Sequence, residues 1–368
     1  MGEVAVLFGG PSPEHDVSIL SGLQAVRALK AAGRGVQAIY WSKTASFHLV
    51  DSNLEATAFV DGVPSGASQL TLEGGAGFVA AGGRLRGAKA LDLDAVVLCT
   101  HGGPGEDGSL QGALDVAGVS YTGPSVAGAA LGMDKLAFSD VVRAAGCRAL
   151  PRLALTPELE HIDFDGPYIV KPRFGGSSIG IDVVADLATA KARLTSNPHL
   201  RSGAVIEPYR EDLYDLQIGV RRHPTLTLSA IERPLRGPRT SGEILNYTDK
   251  YGGGEGMASA PRELPAQLAS PIHESMVSMA ATVAEAALIR GVARIDFLGN
   301  DHEVFVNEVN TIPGSLARYL FIEPEIPFAQ LLTDMIEETK AVPTRRYSAA
   351  GADGLVLRGA ASIAAKLA

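Results

Sequence analysis

Two short stretches in the last third of the chain carry side chains that could bind a divalent cation. They read Arg294-Ile-Asp296 and Glu308-Val-Asn310. Side chains alternate across a β-strand, so Arg294 and Asp296 share one face. Glu308 and Asn310 share a face of the second stretch for the same reason. If the two strands pair as a hairpin, the four groups converge. Oxygen ligands of this kind suit Mg²⁺ that bridges phosphates, and an arginine there neutralises anionic charge.

A turn rich in glycine and serine could hold phosphate. It reads Lys171-Pro-Arg-Phe-Gly-Gly-Ser177-Ser178-Ile-Gly180 and follows an apolar strand. Glycines let backbone N–H groups approach phosphate oxygens, serines add donors, and Lys171 adds a positive charge. The pattern differs from the P-loop, which ends GK[ST] and opens a helix. Such a turn alone is more often only a turn, but the preceding lysine favours a phosphate site.

Two polar motifs follow predicted strands in the first third of the chain. Residues 101–108 read HGGPGEDG and lie where a parallel strand ends, which is the usual ligand crevice of open α/β sheets. Residues 9–18 read GGPSPEHDVS and lack the GxGxxG spacing, so a dinucleotide site is disfavoured. Glu14 and Asp16 in this second motif have an alternative explanation as helix-capping and helix-dipole residues.

The elements that must position these groups form an alternating pattern. Strand–helix–strand alternation in the first segment predicts a parallel sheet with helices on both faces. The stretch 61–87 is predicted as a surface hairpin or a loop, and 234–260 as a polar loop. The predicted strands are 4–8, 36–41, 94–100, 168–171, 204–207, 215–220, 225–232, 293–298 and 304–309. The predicted helices are 17–33, 109–116, 133–145, 185–194, 266–289 and 327–340.

Length and composition exclude several classes of protein. The chain has 368 residues with 46% hydrophobic residues, which suggests two or three domains and excludes a disordered chain. Its 42 glycines follow no triplet period, so collagen is excluded. The net charge of −9 argues against a nucleic-acid partner but permits a small anionic ligand. Cys99 and Cys147 are predicted to be buried thiols. No targeting or membrane segment is visible, so we expect a cytoplasmic protein.

Seven motifs occur together in a fixed order, and they carry a family resemblance. They are GGPSPEHDVS, HGGPGEDGSLQG, YTGPS with MDK, IVKPRFGGSSIG, YTDKY, ARIDF and NEVNTIPG. Over about residues 3–340 the sequence resembles the D-alanine–D-alanine ligase family of ATP-grasp enzymes. The resemblance implies an α/β fold, with an N-terminal parallel-sheet (pre-ATP-grasp) domain before a two-lobed ATP-grasp fold. The expected division is 1–124, 125–209 and 210–368, the last carrying the metal site and a mobile loop.

The same resemblance implies roles at the nucleotide site. Lys135 and Lys171 would contact the ATP phosphates. Glu207 and the backbone of Pro208 and Arg210 would hold adenine. Asp296, Glu308 and Asn310 would bind two Mg²⁺ ions, with Mn²⁺ as a substitute. Ser178 and Lys250 complete the expected ATP site.

Further roles concern the amino-acid substrates. Glu14 would bind the ammonium of the first amino acid and, with Ser177 and Tyr251, tie a mobile loop to the site. Arg294 and the backbone N–H of Gly314 would form the oxyanion hole. His101 would lie beside the substrates.

Two positions depart from the family pattern. The glutamate expected seven residues after Glu207 for the ribose is absent, and Asp212 and Asp215 are the candidates, with Asp215 favoured. After Gly314 the family places a serine for the carboxylate of the second amino acid. This chain reads Ser315-Leu-Ala-Arg318-Tyr319-Leu320 after Gly314, and without a gap Tyr319 takes the place of that serine. Either an Arg318 contact to the carboxylate or a surface arginine fits the pattern.

The resemblance therefore implies an ATP-dependent carboxylate–amine ligase that makes D-alanyl-D-alanine through an acyl phosphate, for peptidoglycan precursors. The alternative is a paralogue with another amino acid acceptor, and Tyr251 favours an amine as the acceptor. A nucleotide-binding module without catalysis and a nicotinamide-dependent dehydrogenase are weaker alternatives. We expect amino acid substrates and a homodimer, and no nucleic-acid or membrane partner.

Overall fold

Three β-sheets follow one another along the chain in the computed structural model, which describes residues 3–81, 88–235, 261–343 and 348–358. The first sheet has a parallel centre formed by β1 (Glu3–Gly9), β2 (Val36–Trp41) and β7 (Leu93–Leu98), with β1 in the middle. The predicted parallel sheet is thus confirmed. The three central strands β1, β2 and β7 are mostly buried, as expected for parallel strands covered on both faces.

Four short antiparallel strands extend this sheet beyond β2. They are β3 (Phe47–Val50), β4 (Ser68–Glu73), β5 (Gly77–Ala80) and β6 (Lys89–Ala90). The β4–β5 hairpin lies inside the stretch 61–87 that was predicted as a hairpin or a loop. The hairpin is part of the sheet rather than a separate surface excursion.

Two helices pack beside the first sheet, α1 (His15–Ala31) and α2 (Ser109–Ala117). Gly22 lets α1 lie directly on β1, because a Cβ at Gly22 would stand 2.4 Å from Cβ of Phe8. α1 begins at His15, directly after Glu14 and inside the 9–18 motif. The sheet therefore fixes Glu14 at the start of a packed helix.

The second sheet has four strands and follows two short helices. The helices are α3 (Val126–Met133) and α4 (Lys135–Ala144). The predicted helix 133–145 begins later than expected, because Asp134 caps α4 by accepting the N–H groups of Leu136 and Ala137. The remaining elements are β8 (Leu153–Leu155), β9 (Tyr168–Pro172), β10 (Asp182–Val184), α5 (Leu187–Ser196) and β11 (Ala204–Pro208), in the sheet order β10-β9-β11-β8.

The third sheet has five strands in the order β14-β13-β12-β15-β16. One helix, α6, packs on it through buried side chains such as Met276 and Val283. The bounds are β12 (Tyr214–Arg221), β13 (Thr227–Pro234), β14 (Arg262–Glu263), α6 (Ser270–Ala286), β15 (Val292–Gly299) and β16 (Val304–Asn310).

The chain then returns to the first sheet. A 3₁₀ turn (Gly314–Leu320) and α7 (Phe328–Ala341) contribute Leu316, Leu320 and Leu331 to the same buried cluster as β1 and α1. A last short helix, α8, spans Leu355–Arg358. Cys99 and Cys147 are buried and free, as predicted. Among the described residues, no helix is both long and apolar enough to cross a bilayer.

Candidate active site

The β15–β16 hairpin brings the four predicted cation-site residues together. Asp296 lies opposite Glu308 and Arg294 lies opposite Asn310 in the antiparallel register. Paired residues point to the same face of a sheet, so all four side chains share one face. The convergence predicted from strand alternation is therefore present.

Hydrogen bonds from Arg294 and Asn310 hold the Asp296 carboxylate. Arg294 donates to both carboxylate oxygens of Asp296, over 2.6 and 2.8 Å. Asn310 Nδ2 donates to Asp296 Oδ2 over 3.0 Å. Asp296 and Arg294 are each about 14% exposed or less. The carboxylate is thus fixed in place by a charge-assisted pair.

A β-bulge separates this pair from the rest of the hairpin. Asp296 pairs with Glu308 and Phe297 with Val306, so Asn307 stands as an extra residue in β16. Asn307 Oδ1 accepts from Lys171 Nζ over 3.4 Å. The bulge therefore lets the third sheet contact the phosphate-site lysine of the second sheet.

Lys171 and Glu207 form a buried ion pair on neighbouring strands. Lys171 lies on β9 and Glu207 on β11, and Nζ stands 3.1 Å from Oε1. Burial and the charge of Arg152 lower the pKa of Lys171 below its ordinary value, which Glu207 opposes. Arg152, a residue that the sequence did not single out, donates to Glu207 over 2.9 Å.

Lys135, the first residue of α4, joins the glycine-rich turn to the hairpin. Its Nζ donates to the carbonyl of Gly175 over 2.5 Å and lies 3.3 Å from Glu308 Oε2. The side chain is 9% exposed. The two predicted phosphate-site lysines therefore contact neighbouring residues of β16, Lys135 at Glu308 and Lys171 at Asn307.

The glycine-rich turn also reaches the first sheet. Ser177 Oγ donates to Glu14 Oε1 across 163 positions of sequence. Ser177 and Ser178 both adopt left-handed backbone, with φ of 55° and 58°, a conformation that L-residues adopt only at some cost. The predicted link between Glu14 and Ser177 is formed.

His101 connects the first sheet to the loop after β16. Its Nδ1 donates to the carbonyl of Ile312 over 2.7 Å, and its Nε2 lies 2.7 Å from Ser21 Oγ. Ser21 in turn accepts the N–H of Ser315 over 2.8 Å. Burial lowers the pKa of His101, with Glu14 opposing and Arg294 adding to the shift. Both ring nitrogens of His101 are hydrogen-bonded, and these bonds hold the loop that follows β16 in position.

Glu106 lines the same cleft, although the sequence pointed only to its motif. Its carboxylate accepts the N–H groups of Gly102 and Ile312 over 3.0 and 2.9 Å. Burial, with a contribution from Glu14, raises the pKa of Glu106 from 4.5 to about 7. The cleft is lined by Glu14, Glu106, Gly132, Met133, Lys135, Gly175, Gly176, Glu308, Val309 and Asn310.

The turn after Gly314 separates the two side chains expected near a second substrate. Arg318 is exposed, with its Nε 3.4 Å from Gln24 Oε1. Tyr319 is partly buried and lies beside Arg294. Leu320 is buried in the core. Of the three residues, Tyr319 is thus the one next to the cation-site hairpin.

The remaining predicted residues are placed as follows. Gly314 is buried at the start of the 3₁₀ turn. Arg210 forms a bidentate pair with Asp212 and contacts Glu303. Asp215 stands on β12 opposite Leu298, two positions from Gln217, which faces Asp296. Pro208 ends β11. Lys250 and Tyr251 lie outside the described residues.

The donor set fits a nucleotide with its divalent cation. Lys135, Lys171 and Arg294 offer positive charge to phosphates. Asp296, Glu308 and Asn310 offer oxygens to a cation. Within the described ranges no cluster of three or more His, Cys, Asp or Glu residues could hold a metal by itself. This is consistent with a cation that takes most of its ligands from phosphates and water.

Comparisons with known proteins point to one family. The family described as "D-ala D-ala ligase N-terminus" matches residues 3–124, and "D-ala D-ala ligase C-terminus" matches residues 130–337. A D-alanine–D-alanine ligase of Bradyrhizobium sp. (strain ORS 278) is 31% identical over 84% of this chain and 86% of its own. One from Campylobacter lari is 30% identical over 86% and 88%.

Solved structures agree in fold. The crystal structure of D-alanine–D-alanine ligase from Helicobacter pylori has a TM-score of 0.70 and 25% identity, covering 94% of this chain and all of that one. The ligase structure from Coxiella burnetii, at 22% identity, has a TM-score of 0.73 over 91% and 93% of the two chains. With both halves of the chain matched in order, the chain belongs to the D-alanine–D-alanine ligase family.

Proposed function

We propose that this chain is an ATP-dependent ligase that joins two molecules of D-alanine, releasing ADP and phosphate, to supply the dipeptide for peptidoglycan precursors. The observation that carries the proposal is the convergence of Lys135 and Lys171 with Asp296 and Glu308, next to the Glu14–Ser177 contact. Family membership supports D-alanine as both substrates, and the alternative of another acceptor is not favoured.

The nucleotide lies, in this proposal, between the second and third sheets. Lys135 and Lys171 bind its phosphates, and Glu207 with the ends of β11 binds adenine. Ser178, Arg210 and Asp215 border the same site, and Lys250 is assigned to it from the sequence motif. Asp296, Glu308 and Asn310 would bind Mg²⁺, and the sequence motif implies two ions. When bound, the cations neutralise charge on the transferred phosphoryl group.

The first D-alanine binds with its ammonium at Glu14. A carboxylate is a poor electrophile, so its oxygen attacks the γ-phosphorus of ATP, ADP leaves, and an acyl phosphate forms. Ser177 holds the Glu14 carboxylate in place, and His101 fixes the neighbouring loop through Ile312 and Ser21. The sequence motif assigns Tyr251 to a loop whose closure would keep water from the acyl phosphate.

The second D-alanine attacks as the free amine. Its nitrogen bonds to the acyl carbon and the carbonyl oxygen becomes an oxyanion. The carbonyl then re-forms as the C–O bond to phosphate breaks, and the nitrogen loses one proton, which the released phosphate takes up. Arg294 and the backbone N–H of Gly314 stabilise that oxyanion. Tyr319 binds the carboxylate of the second D-alanine, supported by its position beside Arg294. Arg318 and Leu320 border this end of the site.

A substrate matrix tests the proposal. Phosphate release with ATP and Mg²⁺ is measured for D-alanine, L-alanine, D-serine, D-lactate and pairs of them, and products are identified by mass spectrometry. D-alanine alone should give D-alanyl-D-alanine with one phosphate per dipeptide. Release only with a different acceptor, or no release with D-alanine, would overturn the assignment.

We further infer a cytoplasmic homodimer with three lobes, 1–124, 125–209 and 210–368. The reaction consumes ATP, which supports the cytoplasm as its location. Sedimentation equilibrium tests the dimer, and a single species of about 38 kDa would contradict it. Hydrogen exchange followed by peptide tests the division, since the amides of each lobe should open together as one unit.

A further inference from the structure

Arg152 joins three elements at the base of the proposed nucleotide site. It stands directly before β8, and its side chain is 3% exposed. Nε donates to Glu207 Oε1 on β11 over 2.9 Å, and Nη1 donates to the carbonyl of Lys135 on α4 over 2.6 Å. Nη2 donates to the carbonyl of Asn307 in the β16 bulge over 3.2 Å. Each nitrogen of the guanidinium is therefore engaged.

The charge of Arg152 favours the ionised form of Glu207. Glu207 is 1% exposed, and burial opposes its ionisation. Arg152 and then Lys171 outweigh burial and lower the pKa of Glu207 below its ordinary value. Without Arg152, the buried carboxylate would keep one cationic partner, and breaking a buried pair in this way is costly. Arg152 thus keeps Glu207 charged and directed toward Lys171.

The contacts to Lys135 and Asn307 add a geometric role. Lys135 carries a proposed phosphate contact, and Asn307 Oδ1 accepts from Lys171. Arg152 donates to the main-chain carbonyls of both residues. These two hydrogen bonds therefore do not depend on the side chains of Lys135 and Asn307. The planar guanidinium offers several donors in fixed directions, whereas a lysine at this position reaches fewer partners.

We propose that Arg152 is a positioning residue for ATP, which fixes Glu207 and the two phosphate-site lysines across both lobes without a role at the amino-acid subsites. This inference rests on the proposed function, because it assumes that Lys135, Lys171 and Glu207 bind the nucleotide.

The test compares Arg152→Met and Arg152→Lys with the wild type. Calorimetry with Mg²⁺ and the non-hydrolysable analogue AMP-PNP measures nucleotide binding, and steady-state kinetics give KM for ATP and for D-alanine. Arg152→Met should weaken AMP-PNP binding about tenfold or more, as loss of a charged hydrogen-bond network predicts. Arg152→Lys should recover part of that loss, and KM for D-alanine should stay within about twofold in both.

A matched control separates this role from general stability. Arg221 is also a largely buried arginine, paired with Asp334 over 2.6 Å between β12 and α7. Arg221→Met should lower the thermal midpoint without changing AMP-PNP binding.

The outcomes are distinct. AMP-PNP binding within twofold of the wild type in folded Arg152→Met overturns the inference and leaves the proposed function standing. An equal rise of KM for ATP and D-alanine also overturns it, since a general distortion would produce that result. If Arg152→Met does not fold, wild-type binding by Arg152→Lys overturns it instead. If the wild type itself binds no AMP-PNP, the proposed function fails and this inference fails with it.

Discussion

Glu308 is the carboxylate on which the proposed cation site most depends. It faces Asp296 across the hairpin and lies 3.3 Å from the Lys135 ammonium. Glu308→Gln keeps the size and removes the charge, so it should reduce ATP turnover by about 100-fold or more, beyond the 10–100-fold typical of outer-shell partners. ADP release measured against Mg²⁺ concentration checks this.

Asp301 provides the control for that substitution. It lies exposed in the turn of the same hairpin and contacts Tyr214 rather than the site. Asp301→Asn should leave turnover unchanged. Equal turnover in Glu308→Gln and the wild type would contradict the metal assignment.

Tyr319 and Arg318 differ in what they can contact. Tyr319 lies beside Arg294, and the Arg262 guanidinium lies over the Tyr319 ring, 5.1 Å from the ring centre. Arg318 is exposed and lies over the Phe328 ring. Tyr319→Phe should therefore raise KM for the second D-alanine about tenfold, the loss expected for a hydrogen bond to a charged group.

The two D-alanine sites are distinguished by kinetics over a wide substrate range. KM for the first D-alanine should change little in Tyr319→Phe, and Arg318→Ala should resemble the wild type. A large effect of Arg318→Ala with none of Tyr319→Phe would reverse the assignment at this end of the site.

At the scale of elements, the position of α1 on β1 fixes Glu14. The contact between them depends on Gly22, where a Cβ would meet Phe8 at 2.4 Å. Gly22→Ala should lower the free energy of unfolding by about 1–3 kcal/mol, because overpacking forces side chains from their rotamers or shifts the backbone. Urea unfolding followed by circular dichroism measures the change.

Gly112 is the matched control, because it is also a glycine inside a helix. In α2 a Cβ at Gly112 would have its nearest neighbour 3.9 Å away, in the side chain of Val126. Gly112→Ala should be neutral or stabilising by up to about 1 kcal/mol, since alanine has the higher helix propensity. Equal effects of the two substitutions would show that propensity, not packing on Phe8, decides the outcome.

The elements differ in how far the sequence predicts them. Strand alternation predicted that Arg294 shares a face with Asp296 and Glu308 with Asn310, because the repeat of two residues is local. Their convergence also required the two strands to pair as a hairpin, which the structure shows. The strands β3 to β6 are short and lie among glycines, and β3 joins them to the sheet by pairing with β2. Arg152 carried no signal, because its partners lie 17, 55 and 155 positions away.

At the scale of the whole molecule, stability should depend on pH through Glu106. The pKa of Glu106 is about 7 in the folded protein against an ordinary 4.5. The folded state therefore holds an extra proton between these values, so the contribution of this carboxyl to stability falls as pH rises through that interval.

Glu106→Gln should remove this dependence. The difference in free energy of unfolding between pH 5 and pH 7.5, measured without nucleotide, should shrink by about 1 kcal/mol or more, since a tenfold change in proton affinity corresponds to about 1.4 kcal/mol. Asp107→Asn removes the neighbouring carboxylate of the same loop and should keep the wild-type slope. Equal slopes in Glu106→Gln and the wild type would contradict the prediction.

The three sheets together form the site, because no one of them holds all of its groups. Glu14 comes from the start of α1 beside the first sheet, Lys171 and Glu207 from the second sheet, and Asp296 and Glu308 from the third. The chain closes the arrangement by returning α7 to the first sheet. This arrangement suits a reaction that brings a nucleotide and two amino acids together.

The most direct test of the account follows an oxygen atom from D-alanine. D-alanine labelled with ¹⁸O in its carboxylate is incubated with ATP, Mg²⁺ and the enzyme, and the products are analysed by mass spectrometry. If the carboxylate attacks the γ-phosphorus and the acyl phosphate then loses phosphate to the amine, each phosphate released carries one ¹⁸O atom and accompanies one D-alanyl-D-alanine. Dipeptide formation with unlabelled phosphate, or label transferred to AMP, would contradict the account.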